Sequence, residues 1–170
     1  MAVEINKIKM DLLRLPRKSS HGFINLILIY LTNSGFRAVF LIRLIEFFSK
    51  RNALIAKIIQ FRLLKYYGCD VSLGLEIQGG LRIDHPVGVV IGSGVKIGRY
   101  CTIGSHVIIG EKYIDSRSTG EYPFIGDEVT LAANTTIIGN LSIQSFVCTG
   151  ANSLVLTSVP MNTRVIGTWK

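Results

Sequence analysis

The sequence predicts a mainly β protein, a left-handed parallel β-helix of hexapeptide repeats that follows an N-terminal α-helical region. An aliphatic residue recurs every six positions in the second part of the chain, and glycine often comes next. The first seventy residues lack this period and contain apolar runs of helical length. We therefore expect an N-terminal helical region over residues 1–69 and a β-helix domain over residues 70–170.

The six-residue period has a simple structural meaning. One step is a short strand plus a corner, and three steps make one triangular coil whose stacked copies share a narrow core. The first residue of a step points into this core, so it must be aliphatic, and the fifth also faces inward. The count slips by two after Ile83 and is interrupted again after Ile109. The predicted inward anchors are Val71, Ile77, Ile83, Ile91, Ile97, Ile103, Ile109, Ile125, Leu131, Ile137, Ile143, Thr149 and Val155.

The N-terminal part is predicted to be helical. Residues 36–48 and 53–67 form strongly apolar runs that carry few charges, and Gly68 is placed to end the second helix as a C-cap. The apolar run over residues 23–31 is shorter than the roughly 20 residues that cross a bilayer. No small-residue cleavage site follows it, so we expect neither a signal peptide nor a transmembrane helix.

The excess positive charge lies entirely in the N-terminal part. Residues 1–70 hold twelve Lys/Arg and four Asp/Glu, whereas residues 71–170 hold seven of each. No helix-turn-helix or stacking-aromatic pattern supports nucleic-acid binding. We expect contact with an anionic substrate or peripheral contact with an anionic membrane surface, with a solvated helical face as the alternative. Three cysteines without motif spacing favour a reducing, cytoplasmic setting and no thiol nucleophile.

An Asp84-His85 pair falls in the two-residue slip of the repeat, which makes it the first candidate site. A neutral imidazole can accept a hydroxyl proton, so His85 is a candidate general base. Asp70, fifteen residues upstream, could fix the tautomer of His85. The alternatives are a packed corner histidine for His85 and a cap at the helix-to-strand junction for Asp70. Asp84 either orients an acceptor hydroxyl or closes a turn.

Several segments resemble the serine acetyltransferase family within the hexapeptide-repeat acyltransferases. The resemblance extends from Phe36 to Lys170, about three quarters of the chain. The matching segments are Gly35-Phe36-Arg37-Ala38 with Arg43, Asp70-Val71, Asp84-His85-Pro86-Val87-Gly88, Ile137-Ile138-Gly139-Asn140, and Gly150-Ala151-Asn152-Ser153 through Val159-Pro160.

This resemblance implies an acetyl-CoA-dependent O-acetyltransferase in which His85 is the general base and Asp70 orients it. It also implies a homotrimer that holds acetyl-CoA in the groove between neighbouring β-helices. The residues implied to contact the cofactor through their backbone are Gly110, Ala133 and Ala151. Lys112 and Arg164 are candidates for the CoA phosphates, with ordinary solvated side chains as the alternative. The three histidines are far apart in the sequence and do not have the spacing of metal ligands, so we expect no metal site.

The chain departs from the family where the acceptor is bound. The family carries Arg-His-Pro at the end of the loop between the repeats, and this chain carries Glu121-Tyr122-Pro123. A serine carboxylate would meet Glu121 there, which is unfavourable. We therefore expect a sugar hydroxyl of surface polysaccharide synthesis as the acceptor, bound by Asp84 and Tyr122. The alternatives are a serine O-acetyltransferase of cysteine biosynthesis and a non-catalytic β-helix scaffold.

Overall fold

The N-terminal region is helical, as the sequence predicts. The computed structural model describes residues 2–15, 23–112 and 120–170. Asn33 and Asn52 begin the last two helices as N-caps by accepting from Phe36 N and Ile55 N, and Gly68 ends the fourth with a φ of 58°. The first helix lies in the region predicted to be helical, but its apolar residues alternate with polar ones and form no continuous apolar run. The helices are α1 (Ala2–Leu12), α2 (Phe23–Thr32), α3 (Ser34–Ser49) and α4 (Ala53–Tyr67).

Short parallel strands make up the rest of the chain. They are β1 (Asp70–Val71), β2 (Glu76–Ile77), β3 (Arg82–Ile83), β4 (Val90–Ile91), β5 (Lys96–Ile97), β6 (Thr102–Ile103), β7 (Ile108–Gly110), β8 (Phe124–Ile125), β9 (Thr130–Leu131), β10 (Thr136–Ile138), β11 (Ser142–Ile143), β12 (Cys148–Thr149), β13 (Leu154–Val155), β14 (Arg164–Val165) and β15 (Thr168–Trp169). The first twelve strands alternate through three sheets in strict rotation. This rotation is what a triangular coil of three six-residue steps produces.

The three sheets form the faces of a prism. Sheet A has the order β1-β4-β7-β10-β13-β15, sheet B β2-β5-β8-β11, and sheet C β3-β6-β9-β12-β14. The fold is a left-handed parallel β-helix with an N-terminal helical region, which confirms the predicted fold class. The boundary at residue 70 coincides with the start of β1, and the division into two domains stays a prediction.

Every predicted anchor faces the core. The thirteen side chains are each 3% exposed or less, including the one polar member, Thr149. Thr149 Oγ1 accepts from Ala132 N at 3.0 Å and lies 2.7 Å from Thr135 Oγ1. A buried hydroxyl is tolerated because it is hydrogen-bonded.

Helix α3 lies directly against the β-helix through Gly35. A Cβ atom at this position would sit 2.1 Å from the carbonyl oxygen of Ile83, so only glycine allows this approach. Ile83 is the last residue of β3 and immediately precedes Asp84. Close packing at Gly35 therefore fixes the helix beside the slip in the repeat.

Arg43 joins α1, α3 and the first coil through a buried ion-pair network. Its guanidinium contacts Asp11 at 2.9 and 3.0 Å and Glu46 at 2.6 Å, and donates to the carbonyls of Ile77 and Gln78. The side chains of Arg43 and Asp11 are each 1% exposed. Burial opposes the charged form, but the two carboxylates outweigh it and raise the pKa of Arg43. The arginine of the family motif therefore has a structural role here.

In the part of the chain that the structure describes, no helix combines the length and the apolarity that a bilayer crossing requires.

Candidate active site

The slip in the repeat produces an extra bend between β3 and β4. His106, Asn134 and Asn152 occupy the same corner on successive coils, with φ values of 56°, 60° and 60°. The corresponding residue of the slip is Gly88, with a φ of 69°, and a Cβ added there would lie 2.4 Å from the His106 ring. His85 comes three residues before this corner, is exposed, and has its own positive φ of 59°. The two extra residues thus hold an imidazole outside the regular stack.

These corners form one edge of the prism, which we call the histidine edge. Backbone hydrogen bonds run along it: the N–H groups of His106, Asn134 and Asn152 donate to the coil below at 2.9–3.0 Å. The Asn134 amide also donates to Asn152 Oδ1 at 3.0 Å. The histidine edge consists of residues 84–88, 104–107, 132–135 and 150–153. Its successive corners, including those that carry Ala133 and Ala151, are therefore joined by regular hydrogen bonds.

Asp70 lies beside the residues that follow the slip. It pairs with Val90 in sheet A, and its N–H donates to Val89 O at 2.8 Å. Its half-buried carboxylate accepts from Gln60 Nε2 of α4 at 3.5 Å. Within the described residues no hydrogen bond joins Asp70 to His85, so the predicted orienting role stays a prediction. Catalytic hydrogen bonds commonly tighten only when substrate is bound.

Asp84 borders a cleft between the helices and sheet C. Its carboxylate pairs with Arg82 Nε at 2.8 Å, and both side chains are about half exposed, at 43% and 48%. The lining also includes Arg14, which donates to Tyr100 O and Thr102 Oγ1 at 3.0 and 2.6 Å. The cleft thus combines two guanidinium groups with two carboxylates, those of Asp84 and Asp11, and the Asp11 carboxylate is already paired with Arg43. The other lining residues are Leu15, Asn33, Phe36, Val39, Leu81 and Ile83.

The sequence reasoning missed Arg14 and Arg82. Arg82 stands two residues before Asp84 on an outward strand position, which is a local signal that could have been found. Arg14 is separated from its partners in β6 and the preceding corner by more than eighty residues. No local pattern indicates such a contact.

The other predicted residues lie elsewhere on the prism. Gly110, Lys112 and Tyr122 are at the edge between sheets A and B, and Arg164 is exposed on sheet C. The Tyr122 hydroxyl accepts from Ser93 Oγ at 3.0 Å. The structure therefore brings His85, Asp70, Asp84, Ala133 and Ala151 to one edge and separates them from the remaining candidates.

The Tyr122 ring packs against glycine backbone of the coil below. A Cβ at Gly94 would lie 2.1 Å from Tyr122 Cδ2, and one at Gly92 3.2 Å from Tyr122 Cε1. This packing against glycine explains why the Tyr122 side chain is half-buried even without a bound substrate. The predicted contact between Tyr122 and an acceptor sugar stays a prediction.

The buried cysteines are poor nucleophiles. Burial raises the pKa of Cys69 to about 12, with a further contribution from the Asp70 charge. Burial likewise raises the pKa of Cys101 to about 11. A thiol attacks as the thiolate, which is scarce at neutral pH in both residues. Among the described residues, no group of three His, Cys, Asp or Glu side chains is arranged to hold a metal ion.

Known proteins resemble this chain in sequence. No family model matches it. It is 37% identical over 127 residues to a serine acetyltransferase of Staphylococcus xylosus, covering 72% of this chain and 56% of that protein. It is 30% identical over 165 residues to the mitochondrial serine acetyltransferase 3 of Arabidopsis thaliana, covering 96% and 41%. The chain thus spans about half the length of the curated relatives it matches.

Solved structures share the fold. Soybean serine acetyltransferase complexed with serine superposes with a TM-score of 0.84 at 27% identity, covering 98% of this chain and 68% of that one. Serine acetyltransferase of Brucella abortus in complex with coenzyme A gives a TM-score of 0.82 at 25% identity, covering 96% and 64%. The similarity extends over both the helical region and the β-helix.

Proposed function

Because the chain is a serine acetyltransferase-like hexapeptide-repeat protein, we propose that it transfers the acetyl group of acetyl-CoA to a hydroxyl group. The observation that carries the proposal is the position of His85. Its exposed imidazole stands outside the regular corner stack, next to Asp84 and the charged cleft. A relative of the same fold is known in complex with coenzyme A.

In the proposed reaction, His85 accepts the proton of the acceptor hydroxyl while that oxygen attacks the thioester carbon. The tetrahedral intermediate then collapses: the carbon–sulfur bond breaks, and His85 returns the proton to the departing sulfur. Backbone N–H groups of the groove would stabilise the oxyanion. Asp70 would hold the imidazole in the tautomer that accepts at the free nitrogen.

We propose a homotrimer in which the active site lies between subunits. Sheet A lies between the histidine edge and the edge that carries Gly110 and Lys112. If the A sheets of three subunits packed around a threefold axis, the histidine edge of one subunit would lie beside the edge of its neighbour that carries Gly110 and Lys112. Apolar outward residues in register along sheet A support this arrangement, since exposed apolar ladders favour association. They are Val90, Ile108 and Leu154, with Thr136 between the last two.

L-serine is the first acceptor we propose. The curated relatives are serine acetyltransferases, and a solved relative is known with serine. The cleft beside Asp84 fits an amino acid, because a carboxylate suits its ammonium group and Arg14 or Arg82 suits its carboxylate. This cleft supplies the cations that the loop ending in Glu121 lacks.

A sugar hydroxyl is the second candidate. The observation that favours it is Glu121-Tyr122 at the position where the family carries arginine and histidine. In a trimer these residues would approach the histidine edge of the neighbouring subunit, where a negative charge opposes a serine carboxylate.

Replacing His85 by asparagine tests the proposed base. Asparagine tolerates a positive φ, as Asn134 and Asn152 do on the same edge, so the fold should be kept. We expect release of free CoA from acetyl-CoA in the presence of acceptor to fall by roughly 10²–10⁴-fold. The matched control is His106→Asn, which should stay within a few-fold of the wild-type rate.

The same assay identifies the acceptor when L-serine and nucleotide sugars are compared at equal concentration. Saturable CoA release with serine and none with the sugars is expected. Faster release with a sugar would make the second candidate correct. If neither serine nor any of the sugars leads to release of CoA from acetyl-CoA, both proposed acceptors are wrong and the non-catalytic scaffold becomes the favoured alternative.

A further inference from the structure

Three helices of the N-terminal region line a second pocket, which shares no lining residue with the cleft beside Asp84. Its walls come from α2, α3 and α4. Two of the lining residues are arginines, three are tyrosines, and none is acidic. The pocket is lined by Tyr30, Arg37, Leu41, Arg62, Tyr66 and Tyr67.

Arg37 is the most buried cation of this pocket. Its Nη2 donates to Leu31 O at 2.6 Å, and its Cζ lies 5.8 Å from the centroid of the Tyr30 ring. Its Nε is buried and has no hydrogen-bond partner among the described residues. A buried N–H without an acceptor is unfavourable, so an oxygen-rich anion would satisfy it.

The remaining polar groups also act as donors. Arg62 is exposed, and in the described part of the chain it has no hydrogen-bond or ion-pair partner. Burial raises the pKa of Tyr67, although the Arg37 charge partly opposes this shift. The Tyr67 hydroxyl therefore remains protonated at neutral pH. Guanidinium and phenol donors converging without a carboxylate suit the oxygens of a phosphate group.

The surface around the pocket is apolar and basic. On α2, Leu31 is 59% exposed, and on α4 Leu54, Ile58 and Phe61 are 69%, 53% and 63% exposed. The sequence of α4 contains lysine and arginine but no acidic residue. A soluble phosphate compound would not cover these apolar side chains, whereas a lipid would.

From these observations we propose that the pocket between α2, α3 and α4 binds the phosphate group of an anionic lipid, with the exposed side chains of α2 and α4 in the interfacial region of the membrane. The phosphate oxygens accept from Arg37 and Arg62, and basic residues of α4 such as Lys57 add attraction to the surface. This inference does not depend on the identity of the acceptor.

Vesicle sedimentation of the full chain tests this proposal. We expect binding to phosphatidylcholine vesicles that contain phosphatidic acid and none to phosphatidylcholine alone. Arg62→Gln should weaken binding by at least about tenfold, since a charge-assisted hydrogen bond is lost. Arg37→Lys keeps the charge but removes the planar fork, and it should also weaken binding. Lys57→Gln, the matched control on α4, removes one surface charge and should cost about fivefold or less.

Several results would overturn the proposal. Equal loss in Arg62→Gln and Lys57→Gln would mean that diffuse surface charge, and not the pocket, holds the lipid. Glycerol phosphate that binds as tightly as the vesicles would rule out a lipid as the source of the phosphate. An Arg62→Gln variant that changes the oligomeric mass and leaves vesicle binding intact would make the pocket a contact between copies of the chain. Circular dichroism of each variant verifies that the helices remain folded.

Discussion

At the scale of single residues, Asp70 has two possible partners. Its carboxylate accepts from Gln60 Nε2 of α4 at 3.5 Å, and it lies on the coil next to the slip that carries His85. Asp70 could serve to hold α4 in place or to orient His85. Holding α4 requires the hydrogen bond from Gln60, whereas orienting His85 requires only the negative charge of Asp70 near the imidazole.

We expect Asp70→Asn to lower the rate of acetyl transfer by about tenfold or more, because an amide favours the wrong tautomer of His85. Gln60→Leu, the control, removes the contact seen in the structure and keeps the carboxylate, so its rate should stay near wild type. Initial rates and urea unfolding are measured for both variants. Equal rates for the two variants, with equal loss of stability, would reduce Asp70 to a clamp on α4.

At the scale of the elements, α3 is the part that ties the helical region to the candidate site. Its first turn lies on the carbonyl of Ile83 through Gly35, and its third turn holds Arg43 against Asp11 and the first coil. Removing one partner of such a buried pair typically destabilises a protein by about 3–5 kcal/mol. Because Ile83 immediately precedes Asp84, the position of Asp84 and His85 depends on how closely α3 packs against β3.

Gly35→Ala should destabilise the protein by about 1–3 kcal/mol or more, since the added methyl group would meet the Ile83 carbonyl at 2.1 Å. The backbone before Asp84 should shift, so acetyl transfer should fall as well. Gly110→Ala is the stability control, because a Cβ at that position has no atom within 4 Å. Urea midpoints that are the same for both variants would contradict the tight contact.

At the scale of the whole molecule, the outward faces of the prism differ in polarity. Sheet A exposes Val90 and Ile108, at 37% and 39%, in register. Sheet B exposes a Glu76–Lys96 ion pair at 3.3 Å and one aromatic ring, Phe124. If subunits associate through sheet A, the candidate residues at its two edges can form one site.

Light scattering of the wild-type protein should give about three times the 18.8 kDa mass of the chain. Ile108→Glu places a charge in the proposed interface and should dissociate the trimer and abolish transfer, since an unpaired charge is costly to bury. Phe124→Glu, the matched change on sheet B, should leave both mass and activity unchanged. A wild-type monomer with full activity would refute the shared site.

The sequence by itself determined the β-helix and its core. Each inward anchor could be identified from the six-residue period, because that period is local and the narrow core accepts one type of side chain at each step. The two-residue slip in the same period likewise identifies His85 as a candidate, because the slip is also a local feature of the sequence. The end of α4 at Gly68 was predictable for the same reason, since a C-cap depends on its immediate neighbours.

Only the tertiary structure decided which residues meet. The corner of Ala133 joins the histidine edge, and Gly110 and Tyr122 join another, because strand register across the interruption after Ile109 sets the rotation of each coil. Contacts such as Arg43 with Asp11 join segments that no local period relates. Long-range packing of this kind has no signal within a six-residue window, since its partners are selected by shape and charge after the coils have stacked.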